Sequence, residues 1–456
     1  MGRIEKDLLG ELELPDDVLY GIHTQRARSN FNAAGRPVHP ALIAALAQVK
    51  LACARMNRDG GFLPPDIAEA IVASCESVIR GEHASQFVTD ALQGGAGTST
   101  NMNVNEVVAQ LATCLLGRPV DPFDHVNLHQ STNDTYPTAL RVAALTLMKR
   151  LETAVVALQE AFQAKEREFA DVIKLGRTQL RDAVPTTLGR EFGAYANVLA
   201  RDRWRLFQCM ERLRVVNLGG TVIGTGLAAP RSYIFGVTEK LREVTGLNLA
   251  RAENLIDATQ NQDALVEVSG MVRTHAVNLA KIAGDLRLMG SGPEGGLGEI
   301  ELPPVQPGSS MMPGKVNPVI PEMVTQVAWR VMAHDYEINL VVMSGQLELN
   351  AFLPLAADAL LDSLDLLCRA DATFASRCVA GITACPERCR AMLERSHELV
   401  TALIPRLGHE KAVELARLMR QDHLSIREAG RKSGWVSDCE IDEWLAPERL
   451  CALGWR

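Results

Sequence analysis

Aromatic side chains are scarce in this chain: 5 Trp, 5 Tyr and 11 Phe make up 5% of 456 residues, although hydrophobic residues reach 47%. A core short of rings must be aliphatic. That suits helices packed closely on Ala, Leu, Val and Met, and disfavours a β-sandwich. Positive charge is not in excess either: 47 Lys and Arg stand against 55 Asp and Glu, for a net charge of −8. This argues against a nucleic-acid surface but says nothing of a local cationic pocket. No apolar run approaches the ~20 residues of a membrane span, so no membrane partner is expected. The ten cysteines (53, 75, 114, 209, 368, 378, 385, 389, 439 and 451) never form Cys-x-x-Cys. The N-terminal MGRIEKDLLGELELP is charged throughout and reads unlike a secretory signal, so free thiols in a reducing cytoplasm are expected. The glycine clusters at 219–226 and 290–298 never spell G-x-G-x-x-G after a strand, which sets a dinucleotide fold aside.

What remains is long helical texture. Residues 1–132 mix short helices such as HPALIAALAQVKLACARMN with Gly- and Pro-rich connections and polar, turn-like segments, among them GGAGTSTNMN at 94–103. From Tyr136, Leu140, Ala143, Leu145, Met148, Leu151, Val155, Leu158 and Phe162 recur at helical spacing. A helix of that length runs on the order of 50 Å at 1.5 Å per residue. Similar texture returns at 189–217, 260–290 and 321–380, the last with a break near Pro354, and 263–289 is apolar on more than one face. Aliphatic helices of this length read as an elongated bundle that associates further between subunits. The expected class is mainly all-α in three domains: a mixed N-terminal domain (1–132), a central helix bundle (133–387) and a small helical C-terminal domain (388–456).

Four segments depart from the helical pattern: GAGTSTNMN (95–103), HQSTND (129–134), GRTQLRDAVPTTLG (176–189) and GSSMMPGKVNP (308–318). The last resembles a Walker A loop only superficially. Five residues separate Gly308 from Gly314, one too many, and Val316 stands where the magnesium-binding hydroxyl belongs. All four offer hydroxyls or amides and none a nest of carboxylates. Neutral donors with one lysine suit an anionic ligand, above all one whose charge grows during reaction.

The sequence resembles the aspartase/fumarase superfamily along nearly its whole length. GSSMMPGKVNP matches the superfamily signature G-S-S-x-M-P-x-K-x-N-P in full, with support from GTSTNMNVNEV (97–107), QSTNDTYPT (130–138) and NLGGTVIGTG (217–226). YGIHTQRA (20–27), NPVIPE (317–322) and Gln179 in GRTQ are similar to the ammonia-eliminating branch rather than to the hydratases. The resemblance implies a central long-helix bundle that packs into a homotetramer, with active sites shared between three subunits. It implies elimination of ammonia from L-aspartate to give fumarate, with no cofactor; activation by a divalent metal is not legible in the sequence. A lyase of another aspartate derivative, a fumarate hydratase and a non-catalytic scaffold tetramer are the alternatives.

Carried over residue by residue, the resemblance makes Ser309 the general base. Ser310, Thr98, Ser131 and Thr132 would hold the β-carboxylate and its enediolate, and Lys315 and Asn317 the α-carboxylate. Asn133 and Thr178 would face the departing ammonium, with Gln179 adjoining. Glu322 and His129 are expected to stand behind these residues. His129 before QSTND and Glu294 in SGPEGGLGE depart from the family pattern, and a buried or loop-lining role is expected of both. His125 and His129, like Cys385 and Cys389, are four apart without companion ligands, so a metal is not expected at either pair.

Overall fold

The computed structural model describes residues 2–452. Helices dominate it, and every sheet among the described residues is two-stranded. The chain opens with a hairpin, β1 (Gly2–Asp7) and β2 (Gly10–Pro15), followed by α1 (Ile22–Asn30), α2 (Pro40–Asp59), α3 (Pro65–Ile79) and α4 (Thr98–Leu116). The helical expectation over HPALIAALAQVKLACARMN is met by α2. His39 caps it, Nδ1 accepting from the Ala41 N–H at 3.1 Å, and Pro40 takes the first helical position, where its missing N–H costs nothing. Leu42, Leu46, Val49 and Cys53 form its buried stripe, with Ala45 and Ala52 letting neighbouring helices approach.

The long helices are α5 (Thr132–Glu168), α6 (Leu188–Leu213), α9 (Asp263–Met289), α10 (Val319–Met343) and α11 (Leu353–Arg377); α7 (Arg231–Thr245) and α8 (Leu255–Gln260) are shorter. α5 begins four residues before Tyr136 and keeps Pro137 inside its second turn. The break near Pro354 is the 344–352 connection, with Pro354 the second residue of α11. On α10 the buried stripe is Val324, Ala328, Val331, Ile338 and Val341, whereas Trp329, Met332, Tyr336, Leu340 and Met343 stay exposed at the same spacing. α9 likewise leaves Val277 and Leu288 exposed beside its buried stripe.

Two expectations change. GGAGTSTNMN is turn-like only to Gly97; from Thr98 it is helix, with Asn101 and Asn103 buried. Their polarity serves internal hydrogen bonds, which sequence pattern cannot distinguish from a solvated loop. GRTQLRDAVPTTLG is a β-hairpin, β3 (Ile173–Thr178) with β4 (Arg181–Thr187), antiparallel with Thr178 opposite Arg181 and one bulge at Gly176.

By packing, the chain forms two units. The first comprises residues 1–152, 204–276 and 329–368, and the second 153–203, 277–328 and 369–456. α5, α6, α9, α10 and α11 each contribute residues to both. The second unit ends in short helices, α12 (Pro386–Arg395), α13 (Ile404–Leu407), α14 (His409–Asp422), α15 (Ile426–Ser433), α16 (Asp438–Trp444) and α17 (Pro447–Cys451). Leu393, Leu399, Leu415, Met419, Ile426 and Ile441 form their core, with Leu175 of β3 packed into it.

Candidate active site

In the first unit, two predicted segments meet at helix N-termini. Gly97 (φ +91°) precedes α4, and a Cβ there would lie 2.3 Å from the Tyr136 ring, so only glycine lets the α4 entry rest on α5. Thr98 is exposed as the first residue of α4. Thr100 behind it is buried, its N–H and hydroxyl donating to Gln93 Oε1 at 3.0 and 2.9 Å. Ser131 caps α5: its Oγ accepts from the Asn133 N–H at 3.2 Å, and Asp134 Oδ1 accepts from the Ser131 N–H at 3.0 Å. Asp134 thus supplies the return bond of a capping box, while the serine oxygen caps the preceding N–H instead.

Asp134 has no exposed surface, and its other oxygen accepts from the Gly219 and Thr221 N–H groups at 3.0 and 3.1 Å. Burial pushes its carboxyl up to about 6 against those bonds. Asn133 Nδ2 donates to the Val222 carbonyl at 2.8 Å, and Thr132 is buried. The NLGGTVIGTG segment is thus bound directly to the Ser131–Asp134 turn. Sequence reasoning missed Asp134, although Ser-x-x-Asp before an apolar run is a legible cap signal.

In the second unit, residues 308–318 form a closed loop ahead of α10. The Gly308 N–H donates to the Lys315 carbonyl at 2.8 Å, and Asn317 Nδ2 donates to the Gly308 carbonyl at 2.5 Å. A side chain at Gly308 would collide at 2.7 Å with the Asn317 nitrogen and the Lys315 oxygen. Ser309 Oγ accepts from the N–H groups of Met311 at 3.1 Å and Met312 at 2.9 Å. Ser310 and Lys315 are exposed.

Thr178 and Gln179, also exposed, form the tip of the β3–β4 hairpin, where Gln179 (φ +55°) and Leu180 (φ +59°) are both left-handed. Two-residue hairpin turns need that conformation, which Asn-Gly adopts more cheaply. The hairpin is held by charges that sequence reasoning did not single out. Glu299, without exposed surface, lies 2.6 Å from Arg177 and 2.7 Å from Lys174, and Lys174 also donates to Glu191 at 2.7 Å. Burial raises the Glu191 carboxyl while Lys174 draws it down.

The remaining predicted positions lie around these halves. Glu322, in the first turn of α10, is 3.7 Å from Arg287. His129 (φ +62°) bonds Asn57 Oδ1 at 2.8 Å, with its ring between Phe62 and Tyr233, and burial lowers its pKa. Its ring nitrogen is thus engaged by Asn57 of α2. Glu294 is exposed on its loop, not buried. His125 sits in a single wide helical turn, Pro122–Val126, and accepts from the Asp121 N–H. Among the described residues no group of three or more His, Cys, Asp or Glu is placed to hold a metal. YGIHT is tied down by buried Glu106, which accepts from the N–H groups of Gly21, His23 and Thr24 and from the Thr24 hydroxyl.

Chemically, the first unit presents hydroxyls and amides at two helix N-termini, where partial positive charge favours anions. The second presents a serine oxygen already held by two N–H groups, on a loop that carries an exposed lysine. Such a set can bind carboxylates and stabilise an oxyanion.

A family model described as Lyase matches residues 10–333, and one described as Fumarase C C-terminus matches residues 399–452. Aspartate ammonia-lyase of Pseudomonas aeruginosa is 47% identical, over 99% of this chain and 97% of that protein. Aspartate ammonia-lyase of Bacillus subtilis is 43% identical, over 99% and 96%. Among solved structures, the fumarate lyase:delta crystallin from Brucella melitensis bound to cobalt superposes with a TM-score of 0.95 at 47% identity, covering 99% of this chain and 100% of that one. A class II fumarase from Schistosoma mansoni gives 0.92 at 32% identity, covering 98% of each.

Proposed function

Because the chain belongs to the lyase family that includes the aspartate ammonia-lyases and fumarases, we propose that it eliminates ammonia from L-aspartate to give fumarate, reversibly. It is a carbon–nitrogen lyase on this reading. The C3 proton of aspartate sits beside a carboxylate, so its removal makes a dianionic enediolate. The catalyst must supply a base at C3 and donors around the charged oxygens.

The observation that carries the reading is the pair of N–H groups on Ser309 Oγ. A serine can act as base only if its alkoxide is stabilised, and hydrogen bonds to the charged form do this. Ser310, Thr98, Ser131 and Thr132 take the β-carboxylate, aided by the N-termini of α4 and α5. Each oxyanion donor of this kind contributes about 3 kcal/mol. Lys315 binds the α-carboxylate as a point charge, and Asn317 both closes the loop and orients that group. Asn133, Thr178 and Gln179 surround the leaving ammonium. Glu322 and His129 support from behind, the first through Arg287 and the second through Asn57.

No single unit carries the full donor set. Thr98 and Ser131–Asn133 belong to the first, and Thr178, Gln179 and the 308–318 loop to the second. A homotetramer in which three subunits complete each site accommodates this, and the exposed Trp329, Met332, Tyr336, Leu340 and Met343 give α10 the apolar stripe that such packing needs. The nine free thiols among the described residues suit the reducing cytoplasm in which we place the enzyme. The test is ultraviolet absorbance as fumarate forms, across L-aspartate, 3-methylaspartate, N-substituted aspartates and malate. L-aspartate turning over far faster than the others is expected; faster turnover of malate would move the reading to a hydratase.

A further inference from the structure

We propose that Lys50 is a positioning residue for the substrate-binding segments, its buried ammonium fixing the turn before Ser131 against α4; this rests on the lyase reading above. Lys50 lies on the buried stripe of α2 and has no exposed surface, so it cannot touch substrate. An ammonium there is costly unless bonded. Its Nζ donates to Asn127 Oδ1 at 2.9 Å and to Gln130 Oε1 at 2.8 Å.

The nitrogen ends of both amides are engaged elsewhere. Asn127 Nδ2 donates to the Gln130 carbonyl at 3.2 Å, and Gln130 Nε2 to the carbonyls of Val126 at 2.9 Å and Leu128 at 3.2 Å. Both oxygens must therefore face the lysine. Asn127 Oδ1 also accepts from Asn101 Nδ2 at 3.3 Å and Asn105 Nδ2 at 3.1 Å on α4. One cation thus bears on the residue before Ser131 and on the helix that starts at Thr98. Cys53, Cys75 and Asp134 face it from α2, α3 and α5, and burial brings it down to about 8, so it is charged at neutral pH. A lysine whose only task were to fill space could be a methionine. This one supplies donors that nothing else in the turn provides.

The test is Lys50→Met, with Gln130→Met as the milder second variant. Each is assayed for kcat and KM with L-aspartate, for tetramer mass, and for amide hydrogen exchange. Misplacing the enediolate donors lowers kcat by about 100-fold while KM shifts less than about threefold. Faster exchange is expected in 97–105 and 127–135 and not elsewhere. The proposal is overturned if kcat per folded tetramer stays within about threefold of wild type; should Lys50→Met not fold, the same criterion applies to Gln130→Met. Exchange that rises evenly along the chain also overturns it. If wild type leaves L-aspartate untouched, the substrate reading fails, while the exchange pattern still decides the role of Lys50.

Discussion

Replacing Glu299 with glutamine keeps the side chain's shape and removes one of four charges packed under the β3–β4 hairpin. In the native cluster Lys174 and Arg177 balance Glu191 and Glu299, and the Glu299 and Lys174 side chains are 0% and 2% exposed. In Glu299→Gln the oxygen near Arg177 can still accept, but the new amide nitrogen confronts the Lys174 ammonium. Breaking a buried pair by neutralising one partner costs 3–5 kcal/mol. Lys174 retains Glu191 and Arg177 is partly exposed, so about 3 kcal/mol is expected. At 1.4 kcal/mol per tenfold, that is a roughly 100-fold larger population of the opened hairpin.

Amide hydrogen exchange over residues 173–187 measures this directly, with α2 and α3 as internal controls. Because the hairpin tip carries Thr178 and Gln179, the KM for L-aspartate should rise in parallel. Replacing the cluster with apolar residues of similar volume (Lys174→Met, Arg177→Met, Glu191→Met, Glu299→Leu) should recover most of the lost stability. Hairpin exchange within threefold of wild type in Glu299→Gln would refute the reasoning. So would a loss shared evenly with α2 and α3.

Ser309→Ala should lower kcat by about 10³-fold with the tetramer retained, and steady-state kinetics beside light scattering checks it; near-normal rates would remove serine from the role of base. Lys315→Ala should chiefly raise KM, by roughly tenfold to 100-fold, in the same assay. Leu180→Gly relieves a left-handed side-chain residue that is exposed and packs little, so the hairpin should gain about 1 kcal/mol, read as slower exchange at 173–187. Asp134 titrates at about 6 when folded, against 3.8 for the free side chain. The folded state therefore binds its proton more readily, so the stability it contributes is greatest below about 4 and declines by about 3 kcal/mol as pH rises through 6. Urea-unfolding midpoints of wild type and Asp134→Asn across that range test the sign, since the variant should lack this decline.

Long elements with aliphatic residues at helical spacing were legible: α2, α5, α6, α9 and the pair α10 and α11 lie within a few residues of their expected positions. Where polar residues turn inward the sequence misleads. Thr100, Asn101 and Asn103 look like loop vocabulary but are buried hydrogen-bonding groups in the first turns of α4. The β3–β4 hairpin hid because Gly176 and Pro185 break its alternation and its turn, Gln179–Leu180, lacks the usual Asn-Gly. The candidate residues were found through motif resemblance, but not what holds them. Glu299 lies more than 120 positions from Lys174 and Arg177, and Glu106 more than 80 from the YGIHT turn. Nothing local marks such partners, because only the folded chain brings them together.

The interleaving of the two units has a consequence for synthesis. A ribosome that has released the first 300 residues has completed neither, because one waits for residues 329–368 and the other for residues 369–456. Helices α2, α3 and α4 can pack on one another early, but the faces that meet the late segments must wait for them. The same ordering rules out dissection: an excised central segment should aggregate rather than yield a minimal enzyme, and trimming the C-terminus should harm regions encoded far upstream.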